Sequence, residues 1–240
     1  MLQINNLQKR FGEKVALDIP EFTIEKGTLL GLVGNNGAGK TTLFRLILDL
    51  LKADSGNITS NGIDVSVSEE WKRYTAAFID NRFLIEFLTP EEYFNFIGET
   101  YGLDKATVTE RLKPFARFAN NEIFGEKKYI RNFSAGNKQK IGIMSAMLVQ
   151  SELLILDEPF NFLDPSSQIE IRDMLQKTNA ERGTTILISS HNLNYTTDIS
   201  TRLVLLEKGF IKKDMPNTAE AIAELNTYFV EQANSEIIND

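Results

Sequence analysis

The stretch Gly34-Asn35-Asn36-Gly37-Ala38-Gly39-Lys40-Thr41 has the spacing G-x-x-x-x-G-K-[ST]. An apolar run, Leu29-Leu30-Gly31-Leu32-Val33, precedes it, and a helical pattern opening with Thr42-Leu43-Phe44 follows. Glycines in such a turn let the backbone curl so that successive N–H groups face an anion, and the helix start adds partial positive charge. Lys40 then reaches the β- and γ-phosphates of a nucleoside triphosphate, and the Thr41 hydroxyl is placed to ligate Mg²⁺. Kinases, GTPases and motors share this loop, so by itself it specifies only the ligand class. A second apolar run, Leu153-Leu154-Ile155-Leu156, ends in two acids, Asp157 and Glu158. Side chains alternate along a strand, so the two carboxylates are free to differ in role. Asp157 is placed to hold the Mg²⁺ shell, and Glu158 to polarise the water that attacks the γ-phosphate.

Elements of two kinds must position these groups. Leu2, Ile4 and Leu7, then the alternation through 15–24, predict strands of an N-terminal antiparallel β patch with a turn near Gly12. From Thr28 onward, short apolar runs at 29–33, 153–156, 185–188 and 203–206 alternate with helical patterns. Runs of that kind are expected of strands covered on both faces, which implies an α/β fold with a mainly parallel sheet. Between roughly Pro90 and Gln150 the strand signal stops, and 91–101, 105–118 and 135–149 read as helices of an inserted α-helical subdomain. Lys208-Gly209 reads as a hairpin turn, followed by an amphipathic helix over 218–230.

Composition narrows the function classes. A chain of 240 residues, 42% hydrophobic and 25% charged, is ordinary for a globular protein with one sizeable core. The net charge of −7 disfavours a broad surface for DNA or RNA, and no nucleic-acid partner is expected. There is no cysteine, so any metal is expected to need oxygen ligands. The opening residues MLQINNLQKRFGEK lack the apolar centre of a signal peptide, and the apolar region 141–156 is interrupted by Gln150-Ser151-Glu152. A buried helix followed by a buried strand is the expectation there.

Taken in order, these motifs resemble the ATP-binding-cassette (ABC) transporter family across nearly the whole chain. Phe133-Ser134-Ala135-Gly136-Asn137-Lys138-Gln139-Lys140 resembles the family's signature sequence, Phe162-Leu163-Asp164 its D-loop, and Ile188-Ser189-Ser190-His191 its switch strand. The resemblance implies a P-loop NTPase core at 1–89 and 151–240, with residues 90–150 forming the helical subdomain that carries the signature. It implies that ATP is held with Mg²⁺ between two ATP-binding subunits, identical or related, and that Ser134, Gly136 and Asn137 contact the nucleotide bound by the other copy. It further implies that Phe11 stacks on adenine, that Asp164 links the two sites, and that His191, the sole histidine, joins Lys40 and Glu158 at the γ-phosphate. A separate transmembrane subunit would place the protein on the cytoplasmic side of the membrane.

The sequence departs from the family pattern at three positions. Asp80 stands where a glutamine is commonest and is taken here as a metal-shell residue, although aspartate is shorter and only accepts hydrogen bonds. Ala135 replaces a signature glycine, and Asn137 a frequent glutamine. The phenylalanines of the helical segment, Phe83, Phe87, Phe94, Phe96, Phe115, Phe118, Phe124 and Phe133, are expected mostly in the core, with Phe83 and Phe87 lining a groove for the membrane subunit. The expected function is ATP hydrolysis powering transport, with export as the direction. Alternatives are a soluble ABC ATPase acting on DNA or ribosomes, and a regulatory ATP-binding subunit of a heterodimer.

Overall fold

A computed structural model of the protein describes the backbone of residues 1–238 and the side chains of residues 1–232. Strands β1 (Leu2–Phe11) and β2 (Lys14–Ile24) form a hairpin around Gly12, and β3 (Leu29–Val33) leads through the glycine loop into α1 (Lys40–Ile47). Short strands β4 (Ser55–Ser60), β5 (Ile63–Asp64) and β6 (Thr75–Phe78) precede the helices α2 (Pro90–Thr100), α3 (Lys105–Leu112), α4 (Ala116–Ala119) and α5 (Ala135–Leu148). The chain then returns to β7 (Leu153–Leu156), α6 (Pro165–Arg182), β8 (Thr185–Ser190), α7 (Leu193–Thr197), the hairpin β9 (Arg202–Glu207) and β10 (Phe210–Pro216), and α8 (Ala219–Ile238).

Two sheets result. One is antiparallel, in the order β2-β1-β4-β5; the other runs β10-β9-β3-β8-β7-β6 and is parallel except for the β9–β10 hairpin. The uninterrupted apolar runs follow from burial of both faces of the second sheet. Leu30, Leu32, Leu153, Ile155 and Leu187 pack with α1 and the antiparallel sheet, whereas Leu154, Leu156, Ile186 and Ile188 pack with α5 and α6. α8 covers the remaining edge, where Leu225 meets Leu203 and Leu205. Among the described residues no helix is long and apolar enough to cross a membrane.

The helical pattern at 105–118 is not one helix. Pro114 has no N–H to continue the ladder, and the chain passes through a tight turn at Lys113–Phe115 between α3 and α4. The strands β4, β5 and β6 show no period in the sequence, because β4 is polar, β5 has two residues and β6 only four. Of the phenylalanines in this region, Phe94, Phe115, Phe118 and Phe133 are buried, while Phe83, Phe87, Phe96 and Phe124 are exposed.

Helix α5 is anchored at both ends and along its length. Ser134 Oγ accepts from Asn137 N at its start, and the Arg111 guanidinium donates to the carbonyls of Leu148 and Val149 at its end, at 3.1 and 2.8 Å. In the middle, Gly142 lies flat against the Phe78 ring of β6, where a Cβ would sit 2.1 Å from the ring edge. Intrinsic helix preference says that Gly142→Ala stabilises by about 1 kcal/mol, whereas overpacking costs about 1–3 kcal/mol. Packing should win, so the urea midpoint of Gly142→Ala falls; a rise would show that the helix stands off the sheet.

Candidate functional site

Parallel pairing aligns the strand ends that carry the chemical groups. Val33 pairs with Ser190 across β3 and β8, and Leu156 with Ile188 across β7 and β8, so the glycine loop, the two acids and His191 emerge at one edge. The loop between β3 and α1 is tightly confined: Gly39 has φ 113°, and a Cβ there would lie 2.8 Å from the Ala16 carbonyl oxygen. Helix α1 begins without a side-chain cap or an acidic residue in its first turn, which leaves its leading N–H groups for an anion. Lys40 is buried and folded over the loop, donating to the Gly34 carbonyl at 2.6 Å and the Asn35 carbonyl at 3.4 Å. Its ammonium is also 3.5 Å from Glu158 Oε1.

The two acids after β7 occupy different environments. Asp157 is buried; its Oδ2 accepts from Thr41 Oγ1 at 2.5 Å and its Oδ1 from the Ser189 hydroxyl. Burial pushes its carboxyl above the ordinary value, with the charge of Glu158 adding to the rise and the hydroxyls of Ser189 and Thr41 opposing it. Glu158 has left-handed backbone, φ 48°, and its Oε2 meets His191 Nδ1 at 2.9 Å and the His191 N–H at 3.3 Å. The cleft in front of these groups has a volume of about 320 Å³ and is lined by Phe11, Lys14, Ala16, Asn36, Gly37, Ala38, Gly39, Lys40, Thr41, Thr42 and Glu158. Phe11 is 53% exposed at its mouth, so it is not a core residue.

Among the described residues no cluster of three or more His, Asp or Glu could enclose a metal. A divalent ion here would find the Thr41 hydroxyl and the Asp157 carboxylate as protein ligands. That sparse oxygen set suits Mg²⁺, which keeps several waters and takes phosphate oxygens for the rest.

Other expected site residues lie elsewhere. Ser134 is exposed at the start of α5, and Ser134, Gly136 and Asn137 do not line the cleft. Asp164 caps α6, accepting from Ser167 N at 3.0 Å, and the hydroxyls of Ser166 and Ser167 hold its carboxyl far below the usual range. Both oxygens of Asp80 are engaged by Arg82, Oδ1 by the backbone N–H at 2.8 Å and Oδ2 by the guanidinium at 2.6 Å, which lowers its pKa. The carboxylate expected in the metal shell is thus committed to its own loop. Two residues with no role in the sequence reading do reach the acids: Ser189, and Gln139, whose Nε2 donates to the Glu158 carbonyl at 3.1 Å. No sequence signal singled out either one: Gln139 lies between Lys138 and Lys140, and Ser189 between Ile188 and Ser190.

Strand, glycine loop and helix beside a strand ending in paired acids define a P-loop nucleoside triphosphatase. The ABC transporter family model matches residues 17–161. An uncharacterized ABC transporter ATP-binding protein of Bacillus subtilis, YdbJ, is 32% identical over 217 residues, covering 90% of this chain and 69% of that protein. A probable sulfate/thiosulfate import ATP-binding protein of Chlorella vulgaris is 31% identical over 208 residues, covering 87% and 88% respectively. A solved ATP-binding subunit of an ABC transporter superposes with TM-score 0.81 at 30% identity, over 90% of both chains. A dimeric ATP-binding cassette in a post-hydrolysis state bound to ADP and Pi shares the fold, with TM-score 0.79 at 21% identity, over 91% of this chain and all of that one. The chain belongs to the ABC transporter family. It is an ATPase, the ATP-binding subunit of a transporter.

The raised pKa of Asp157 has a sign that stability measurements read. A carboxyl whose folded pKa exceeds its unfolded one contributes stability that is present below about 3.8 and lost as pH rises from there through the folded value. Asp157→Asn removes that loss. The variant's thermal midpoint without nucleotide should exceed that of the parent protein at pH 7 and converge with it near pH 4; a lower midpoint at pH 7 would contradict the assignment.

Proposed function

We propose that this ATPase powers the passage of a solute through a separate membrane-spanning partner, and that it binds MgATP between its own cleft and the signature helix of a second ATP-binding subunit. The observation that carries the reading is an incomplete site. Lys40, Thr41 and Glu158 line one cleft, with Asp157 bonded to Thr41 and His191 to Glu158, while the Ser134 end of α5 is exposed outside it. A helix tip with a hydroxyl and leading N–H groups favours an anion, and the phosphates of a second chain's nucleotide supply one. The dimeric relative supports this arrangement.

In this reading Lys40 exchanges its loop carbonyls for β- and γ-phosphate oxygens. Thr41 and Asp157 would hold Mg²⁺, which supplies charge neutralisation across the β- and γ-phosphates when bound. Phe11 offers its exposed ring to the adenine face. Glu158 accepts a proton from the attacking water, and His191 fixes that carboxylate through the 2.9 Å contact while standing at the γ-phosphate. Asp164 connects the two sites as the cap of α6, and Asp80 acts within its own loop rather than on the metal.

The exposed rings of Phe83 and Phe87, 53% and 68% accessible on the segment after Asp80, support docking of the membrane partner there from the cytoplasmic side. Export is the proposed direction. A relative named as a linearmycin resistance ATP-binding protein, 31% identical, supports it, and the equally similar sulfate/thiosulfate import protein argues the other way.

Glu158→Gln should bind ATP with unchanged affinity, hydrolyse it about 10²–10⁴-fold more slowly, and elute as a dimer with MgATP in size-exclusion chromatography. Parental turnover in that variant contradicts the base assignment, and a monomer under every nucleotide condition contradicts the shared site. Lys40→Ala should lose tight ATP binding in a titration with fluorescent nucleotide; affinity equal to the parent's would remove Lys40 from the phosphate site.

A further inference from the structure

The peptide groups on either side of Glu158 are held by buried side chains from two other elements. The Glu158 N–H donates to Ser189 Oγ at 2.9 Å, and the Glu158 carbonyl accepts from Gln139 Nε2 at 3.1 Å. Ser189 comes from β8 and is fully buried; Gln139 comes from α5 and is 5% exposed. The Ser189 hydroxyl has a single proton, and it goes to Asp157 Oδ1, so its donor and acceptor roles are both used and cannot be reversed.

Between those two bonds Glu158 has φ 48°. A non-glycine residue adopts this left-handed region rarely, and it stays there only when its surroundings over-determine it. Relaxation to right-handed or extended backbone would swing the side chain away from its contacts. Those contacts are Lys40, 3.5 Å from Oε1, and His191 Nδ1, 2.9 Å from Oε2. A buried hydroxyl and a buried amide could satisfy backbone groups anywhere. Here both end on the one residue of β7's exit whose backbone is left-handed and whose carboxylate faces the cleft.

We infer that Ser189 and Gln139 are positioning residues for ATP hydrolysis: together they clamp Glu158 in the left-handed backbone that aims its carboxylate at the cleft. The inference rests on Glu158 as the base. It also gives α5 a second role, since the helix that presents Ser134 outward holds, one turn further on, the carbonyl of its own chain's Glu158.

Gln139→Met keeps the length and volume of the side chain and removes only the donor to Glu158, so it carries the test; Ser189→Ala removes the other contact together with the hydroxyl donated to Asp157. In the full chain, both variants should bind ATP with the parent's stoichiometry and with affinity within about twofold. Single-turnover hydrolysis of that bound ATP should slow by about 10- to 100-fold, the loss expected from misplacing a reacting group by about an ångström. Because both side chains hold one residue, the double variant should be less impaired than the product of the single losses. A merely structural role would lower the folded fraction and leave the rate per bound ATP unchanged. Gln139→Met hydrolysing bound ATP at the parental rate overturns the clamp, whether or not Ser189→Ala folds. If Glu158→Gln is itself at the parental rate, the base assignment fails instead; a slow Glu158→Gln beside a parental Gln139→Met sinks the clamp alone.

Discussion

The register of three parallel strands is the constraint on which the site depends. β8 lies between β3 and β7, and its pairing with both brings the glycine loop, the paired acids and the switch histidine to the same edge of the sheet. No loop flexibility is needed to assemble them. A slip of one residue would turn Leu154 and Leu156 toward α1 and Leu153 and Ile155 toward α5, so the close packing of particular side-chain shapes on each face holds that register. The chemistry is therefore held in place by the same packing that stabilises the core.

At that edge the protein concentrates groups that are costly to bury. Lys40 and Asp157 are both buried, and each is satisfied by short contacts within the chain. Lys40 rests on the carbonyls that precede the loop's curl and near Glu158; Thr41 rests on Asp157. Such bonds keep the cleft ordered without nucleotide, and they are the ones that phosphate and a divalent ion would replace. Strain belongs to the same economy: Glu158 has left-handed backbone, and Asp157 carries a raised pKa because burial outweighs its two hydroxyl donors. Sites of this kind trade stability for readiness to bind.

The helical region is joined to this edge rather than merely attached beside it. Gly142 lets α5 close on Phe78, Gln139 reaches Glu158, and Lys138 pairs with Glu86 at 2.6 Å. Backbone bonds from Ile130 to Leu88 and from Arg131 to Glu86 tie the residues before Ser134 to the segment that carries Phe83 and Phe87. One connected set of contacts thus runs from the exposed aromatic rings to the signature tip and on to the acid at the cleft.

Much of this was legible in the residues themselves. The glycine loop, the apolar runs of β3, β7 and β8, the paired acids and the helices α2 and α5 announce themselves because each obeys a local rule of spacing or period. The ordering of the motifs carried the family. What local rules could not supply were the contacts between segments far apart in the chain. The break at Pro114 depended on whether one helix would tolerate it; β6 exists as a strand because β7 pairs with it; Asp80 turned to Arg82 rather than to the cleft. Ser189 and Gln139 stand beside other polar residues and do not mark themselves out, and only folding revealed that both end on the backbone of Glu158. Chemical identity is written residue by residue, whereas the aim of a carboxylate is set by whichever distant side chains hold its backbone, and that is a property of the tertiary structure alone.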